Sequence, residues 1–217
     1  DPLTLYEDLL RDLMIGFAFE EAVCNILTSI DVIRRRMQVG LGAESSCLPF
    51  HGGPTVAVEN VMNLNYAHLR DWVLPSLLEI ESHSEGALYP HRIFEVGETA
   101  VFDPADNMGS RTEQRLAALL AAEDASFDAA QSVLYALLGS LGLPFRVVPW
   151  QHPSFIPGRV GLVVAGGSAR DDDPAAWLGF IGEFSPQVLT SWGARVPAAG
   201  FEMSIPAMQR VRPLQRV

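Results

Sequence analysis

The chain has 217 residues, a mass of 23.7 kDa and 48% hydrophobic residues, which is enough for the core of one large domain or two small ones. Its formal net charge is −11 and its 15 basic residues are all arginines, which excludes lysine chemistry and makes the chain a poor stand-alone binder of nucleic acid. Two cysteines are too few for a disulfide framework, and no apolar run approaches the roughly 20 residues of a membrane span, so a soluble cytoplasmic setting is expected.

The first part of the chain predicts a helix followed by short strands. Thr4 and Glu7 have the spacing of a capping box, and a helix over residues 4–16 follows from it. The apolar residues of that helix repeat at helical spacing and predict a buried stripe at Leu5, Leu9, Leu13 and Phe17. Strands are predicted over 21–27 and 56–60, whereas the glycine-containing residues 31–55 remain ambiguous.

The central part predicts a helix and a long hairpin. Pro75 is suited to the first turn of a helix, whose buried stripe would contain Leu77, Leu78 and Ile80. A strand over 92–102 follows, and the turn-forming residues 103–112 predict a hairpin loop. The next apolar segment, 116–122, fits either a helix, which its alanines favour, or a strand, which the neighbouring pattern favours.

The last part contains the clearest helix and a group of strands. The helix is predicted over 126–141, with Gly142 and Pro144 ending it. The strands are predicted at three places, 160–165, 178–184 and 196–205, with a short helix from Ser185 toward Trp192 after the second. Because these strands are too closely connected for parallel crossovers, the sequence predicts an α+β fold with a mostly antiparallel sheet.

The residues alone give no catalytic or metal-binding constellation. His152 and Ser154 are the only close pair of that type, and no nucleophile elbow surrounds them. Cys47 and His51 have a spacing that metal ligands can have, but two ligands do not make a zinc site.

Runs of charge leave two alternatives open. The run 34–36 consists of three arginines, which could end a solvated helix or contact phosphate. The run 171–173 consists of three aspartates, which could bind a cation or form a solvated loop tip. Arg159 and Glu183 are expected to form an internal ion pair, which concerns packing and not catalysis.

Two segments are not explained by a generic core. Residues 152–159 (His-Pro-Ser-Phe-Ile-Pro-Gly-Arg) are expected to form a rigid loop, and residues 179–189 are expected to turn a strand directly into a helix. Further distinctive segments are 11–21, 25–29, 58–62, 69–79 and 89–97. In this order, over about residues 5–205, they resemble the catalytic-like module of the phenylalanyl-tRNA synthetase beta subunit. Val61 stands where that family usually has proline.

The resemblance implies an antiparallel sheet flanked by helices, of the class II aminoacyl-tRNA synthetase type. It also implies that this module is a degenerate copy of that fold, without its ATP-binding motifs. A class II site grips ATP with an Arg-x-Glu pair, whereas here Arg92 is followed by Glu95, one position late and on the opposite strand face. The terminal class II motif needs an arginine, and residues 182–185 contain none. No catalytic, cofactor-binding or metal-binding residue is therefore expected in this chain, and ATP and Mg²⁺ are expected only in the holoenzyme.

The resemblance also implies a role. The chain is expected to be a single domain over 1–217, excised from a longer beta subunit of the archaeal or eukaryotic type. It would support the catalytic alpha subunit in charging tRNA(Phe) with phenylalanine, touching tRNA only through the holoenzyme, and it could homodimerise when isolated. The candidate interface or structural residues are Arg70, Arg92, His152, Arg159 and Glu183. The alternative is a free-standing synthetase-like paralogue that acts as a binding module, and an unrelated small enzyme is a third possibility.

Overall fold

The computed structural model describes residues 2–40, 48, 54–84, 86–167 and 170–213. Within these residues the α-helices are α1 (Pro2–Gly16), α2 (Leu74–His83), α3 (Phe127–Ser140), α4 (Pro186–Trp192) and α5 (Ile205–Val211). The strands are β1 (Glu20–Glu21), β2 (Leu27–Thr28), β3 (His68–Leu69), β4 (His91–Phe102), β5 (Ser110–Ala121), β6 (Phe145–Pro149), β7 (Phe155–Ala165), β8 (Trp177–Phe184) and β9 (Ala198–Ser204). The predictions on Cys47 and His51 lie outside the described residues.

A seven-stranded mixed sheet, in the order β1-β4-β5-β9-β8-β7-β6, forms the centre of the molecule. Strands β1 and β4 pair in parallel, and every other pair in this sheet is antiparallel. The α+β class is therefore confirmed, with one parallel pair at the edge. Strands β2 and β3 form a separate two-stranded sheet.

Each face of the large sheet carries its own apolar core. One core packs α1, α3 and α5 against the sheet, through residues such as Leu10, Leu134 and Met208. The other packs α2, α4 and the single π-helical turn Asp31–Arg35 against the opposite face. Because side chains alternate along a strand, each long strand contributes to both cores.

The predicted helix at the start of the chain is confirmed, but it begins at Pro2, so Thr4 lies inside it and not at the predicted cap. Its buried stripe is wrong by one position. The side chains of Tyr6, Leu10 and Met14 are fully buried, whereas Leu5 is 62% exposed. Leu9, Leu13 and Phe17 lie at the margin of the core, partly buried. Both rows of α1 are apolar, so periodicity alone did not decide which of them packs against the sheet and α5.

The strands predicted over 21–27 and 56–60 are largely absent. Only β1 and β2 form at the ends of the first segment, and between them the backbone N–H of Cys24 donates to the Glu95 carboxylate, 3.3 Å away. The second segment forms a single antiparallel bridge from Ala57 to His68 before Asn60, with φ of 55°, turns the chain. In the first segment a side-chain acceptor, and in the second a turn, thus take the place of the strand pairing that the composition favoured.

Several other elements differ from the prediction. The ambiguous segment 116–122 belongs to β5, which pairs with β4 over the full 12 residues of both strands, so the hairpin loop ends before Ser110. Strand β6 was not predicted, because its residues follow a helix end and include a proline. The strand predicted to reach Ile205 instead ends at Ser204, whose hydroxyl accepts from the Ala207 N–H and begins α5.

Helix α3 has the boundaries that its sequence predicts. The hydroxyl of Ser126 accepts a hydrogen bond from the backbone N–H of Ala129, 3.3 Å away, and the Glu183 carboxylate accepts from the N–H of Phe127, 2.9 Å away. Two of the N–H groups that an isolated helix leaves unpaired at its start are thereby satisfied.

Ser126→Ala is expected to lower the free energy of unfolding by about 1 kcal/mol, because the Ala129 N–H loses its acceptor. Urea unfolding of the variant and the original chain measures this difference. Ser140→Ala, at the exposed end of the same helix, serves as the control and is expected to change stability by less than about 0.5 kcal/mol. Equal losses in both variants would contradict a capping role.

Candidate functional site

Arg159 and Glu183 form the predicted ion pair, with 2.6 Å between Arg159 Nη1 and Glu183 Oε1. The Arg159 side chain is 57% exposed, whereas that of Glu183 is 9% exposed. The second carboxylate oxygen of Glu183 accepts from Phe127 N–H, at the positive end of the α3 dipole. Glu183 on β8 therefore connects β7 and α3 through its two carboxylate oxygens. The Arg159 side chain remains more than half exposed to solvent.

His152 lies within a cluster of aromatic rings. Its ring centroid is 5.1 Å from that of Trp150 and 5.4 Å from that of Phe155. The backbone N–H of Ser154 donates to His152 Nδ1, 3.2 Å away, so that nitrogen is unprotonated. Burial lowers the His152 pKa to about 4, and the charge of Arg34 acts in the same direction. The ring is therefore neutral near pH 7, and it helps to order the loop before β7.

Arg70 is buried in a bidentate ion pair. Its guanidinium nitrogens lie 2.7 and 3.0 Å from the two carboxylate oxygens of Glu95, and its Nε donates to the Glu98 carbonyl. Only 2% of the Arg70 side chain is exposed. Arg70, one of the candidate residues from the sequence, thus links the segment before α2 to β4 through these hydrogen bonds.

Arg92 lies apart from these groups. It is exposed, and its guanidinium carbon lies 6.0 Å from the centroid of the Phe19 ring. The five candidate residues therefore occupy separate places: only Arg159 and Glu183 contact each other.

A second buried ion pair escaped the sequence analysis. Arg34 is fully buried, and its guanidinium bonds to the Asp71 carboxylate and to Thr55 Oγ1, the latter 2.8 Å away. Of the two alternatives for the run 34–36, a solvated helix end and a phosphate contact, neither describes Arg34, which is buried against Asp71. The sequence did contain a signal for the burial of Arg34, since the apolar residues Ile33 and Met37 flank this arginine at helical spacing and both are buried.

Glu202 on β9 is an acid whose side chain is completely buried. Its Oε2 accepts from the backbone N–H groups of Val73 and Leu74, 2.8 and 3.1 Å away, where α2 begins. Its Oε1 is buried and has no hydrogen-bond partner among the described residues. Complete burial raises the pKa of Glu202 to about 7, although Arg115 and the two backbone donors oppose the shift.

Two arginines line one cavity, as a phosphate site would require. The cavity has a volume of about 610 Å³, and Arg35 and Arg36 lie in its wall. Both guanidinium groups bond to the Asp31 carboxylate, at 3.1 and 2.9 Å, and Glu79 adds a second negative charge to the lining. The charges of this cavity therefore balance, and it offers no net attraction for a triphosphate.

The aspartates of 171–173 are engaged with arginines and with the backbone. Asp171 pairs with Arg146 and Asp172 with Arg170, while Asp173 accepts from the Ala175 N–H. Among the described residues, no group of three or more histidine, cysteine or acidic side chains could hold a metal ion. None of the described helices is long and apolar enough to cross a membrane.

Comparison with known proteins gives a consistent result. The sequence profile of the family described as "Phenylalanyl tRNA synthetase beta chain CLM domain" matches residues 1–205. The phenylalanine–tRNA ligase beta subunit of Thermococcus gammatolerans is 35% identical over 205 residues, covering 94% of this chain and 34% of that protein. That of Pyrococcus horikoshii is 35% identical over 216 residues, covering 100% and 34%. The chain spans about a third of the length of these curated relatives.

Proposed function

Because the chain belongs to the family of phenylalanyl-tRNA synthetase beta-chain CLM domains, we propose that it is a non-catalytic structural module of a phenylalanine–tRNA ligase beta subunit. In this role it supports the catalytic alpha subunit, which binds ATP and Mg²⁺ and charges tRNA(Phe) with phenylalanine. Its sheet would be a class II synthetase sheet that no longer binds nucleotide, and the chain would meet tRNA only through the assembled enzyme.

The observation that carries the proposal is that the guanidinium groups beneath α2 are already paired with acids. Arg34, Arg70 and Arg115 are each buried, and each forms an ion pair with an acid of the same chain. A triphosphate site needs cationic groups that remain available to the ligand. Breaking one of these buried pairs to release its arginine would cost about 3–5 kcal/mol, so this face is built for stability.

The outer side of α1 supports the proposed subunit contact. Leu5 and Ile15 are 62% and 57% exposed although both are large and apolar. Exposed apolar residues on a helix that borders the sheet are typical of an interface. In the absence of the alpha subunit, the same surface would favour pairing of two copies of the chain.

An exchange assay separates this proposal from an enzymatic function of the chain alone. The purified chain is expected to show no phenylalanine-dependent exchange between ATP and pyrophosphate, whereas the assembled ligase shows it. Measurable phenylalanine-dependent exchange by the chain without the alpha subunit would overturn the structural role.

Arg159→Ala is expected to weaken assembly with the alpha subunit more than it lowers the stability of the chain. The exposed ion pair contributes at most about 1 kcal/mol, whereas an arginine at an interface often contributes more. Sedimentation of the mixed subunits measures assembly, and urea unfolding measures stability. Arg170→Ala, which removes another exposed ion pair, is the control. Equal losses of assembly and stability in the Arg159 variant would count against an interface role.

A further inference from the structure

A second cavity, of about 620 Å³, lies between the end of α2, the loop before β4 and the edge strand β1. Apolar side chains, including Ile80, Leu88 and Ile93, form part of its wall. Leu88 is 92% exposed at its rim. The cavity therefore has a partly apolar wall and is open to solvent at its rim.

A buried histidine nitrogen lies in this wall. His91 is nine-tenths buried, and its Nδ1 lies 2.7 Å from Oε2 of the buried Glu81. Because the carboxylate accepts, Nδ1 carries the proton, and in the neutral ring Nε2 is an acceptor. That Nε2 is buried and has no hydrogen-bond partner among the residues that the structure describes. An unsatisfied buried polar atom destabilises the fold, and a bound hydrogen-bond donor removes that cost.

A free carboxylate borders the same cavity. Glu20 on β1 is paired in register with Ile93, so its side chain lies on the same face of the sheet as Ile93 and His91. No ion pair or hydrogen bond of the Glu20 side chain occurs within the described part of the chain. Arg92 also borders the cavity, but it alternates to the opposite face, where its guanidinium lies over Phe19.

We propose that this cavity receives a lysine side chain of the alpha subunit, an assignment that rests on the proposed function. A lysine ammonium has three donors and no acceptor, which matches a lining of two carboxylates and the acceptor nitrogen that a neutral His91 ring presents. The methylene groups of lysine pack against the apolar part of the wall. These 217 residues carry a net charge of −11 and contain no lysine, so the ammonium comes from outside them. Glu20 follows α1 closely, which joins the cavity to the proposed subunit contact.

The test uses the full-length beta subunit that contains this chain, together with its alpha subunit. Glu20→Gln removes an exposed charge, and His91→Asn keeps a donor for Glu81 while it removes the Nε2 atom. The two variants are expected to weaken assembly about fivefold and about tenfold, and Glu123→Gln, an exposed control, less than twofold. A zero-length carbodiimide couples carboxylates to amines, and it is expected to link Glu20 to a lysine of the alpha subunit.

The outcomes distinguish this inference from the proposed function. Normal assembly of both variants, or a complex in which the reagent does not couple Glu20 to the alpha subunit, would overturn the lysine site and leave the structural role intact. Failure of the unaltered subunits to assemble would overturn the proposed function itself. Thermal unfolding verifies that His91→Asn folds, and the Glu20 variant decides the matter if it does not.

Discussion

Arg70→Met is expected to lower the free energy of unfolding by about 3–5 kcal/mol, because it leaves the Glu95 carboxylate buried without its counter-ion. The pair is bidentate, and the arginine also bonds to the Glu98 carbonyl and to Ser76 Oγ, so a single substitution breaks four hydrogen bonds. Methionine fills much of the volume of the arginine stem, and the measured loss therefore reports charge and hydrogen bonding more than packing. Urea unfolding of the two proteins gives the difference.

Two further variants test the cause of this loss. The double variant Arg70→Met, Glu95→Leu is expected to be more stable than Arg70→Met alone, because it removes the stranded charge. Arg159→Met breaks an exposed pair and is expected to cost no more than about 1 kcal/mol. A loss below about 1 kcal/mol for Arg70→Met, or a double variant less stable than the single one, would contradict the assigned role.

Glu202→Gln is expected to make stability less dependent on pH between about 4.5 and 7. Burial raises the pKa of Glu202 from 4.5 to about 7, so folding favours the protonated acid. The stability that this group contributes is fully present below its unfolded pKa and is lost as pH rises through the folded value. At pH 8 the original chain therefore carries a penalty of about 3 kcal/mol that glutamine does not carry.

The measurement is the difference in unfolding free energy between the variant and the original chain, taken from pH 4 to pH 8. This difference is expected to move in favour of the variant by about 3 kcal/mol across the range, while other titrating groups cancel. Glu123→Gln, at an exposed position, is expected to give a flat difference. A flat difference for Glu202→Gln as well, or a change in the opposite direction, would show that the acid is ionised in the fold.

Signals that act over a few residues predicted much of the fold. The cap at Ser126 and the glycine after the last turn defined α3 closely, and Pro75 correctly marked the first turn of α2. The short connections between the late strands correctly indicated antiparallel pairing. Each of these features depends on hydrogen bonds or chain geometry within one element or one turn.

Features set by distant contacts could not be predicted in the same way. Which row of α1 is buried depends on its contact with α5, and the strand state of 116–122 depends on pairing with β4. The predicted pair of Arg159 and Glu183 is present, but the partner of Arg70 was not foreseen, nor was the burial of Arg34. A charge pattern does not show which acid will lie beside which arginine once the sheet has formed.

The last strand of the described residues, β9, lies in the middle of the large sheet, between β5 and β8. During synthesis on the ribosome, the hairpin of β4 and β5 and the strands β6, β7 and β8 emerge before the strand that joins them. Until then both halves expose open edges, which can pair with other chains. A protease or nascent-chain assay on chains stopped before residue 198 is thus expected to find two unjoined halves.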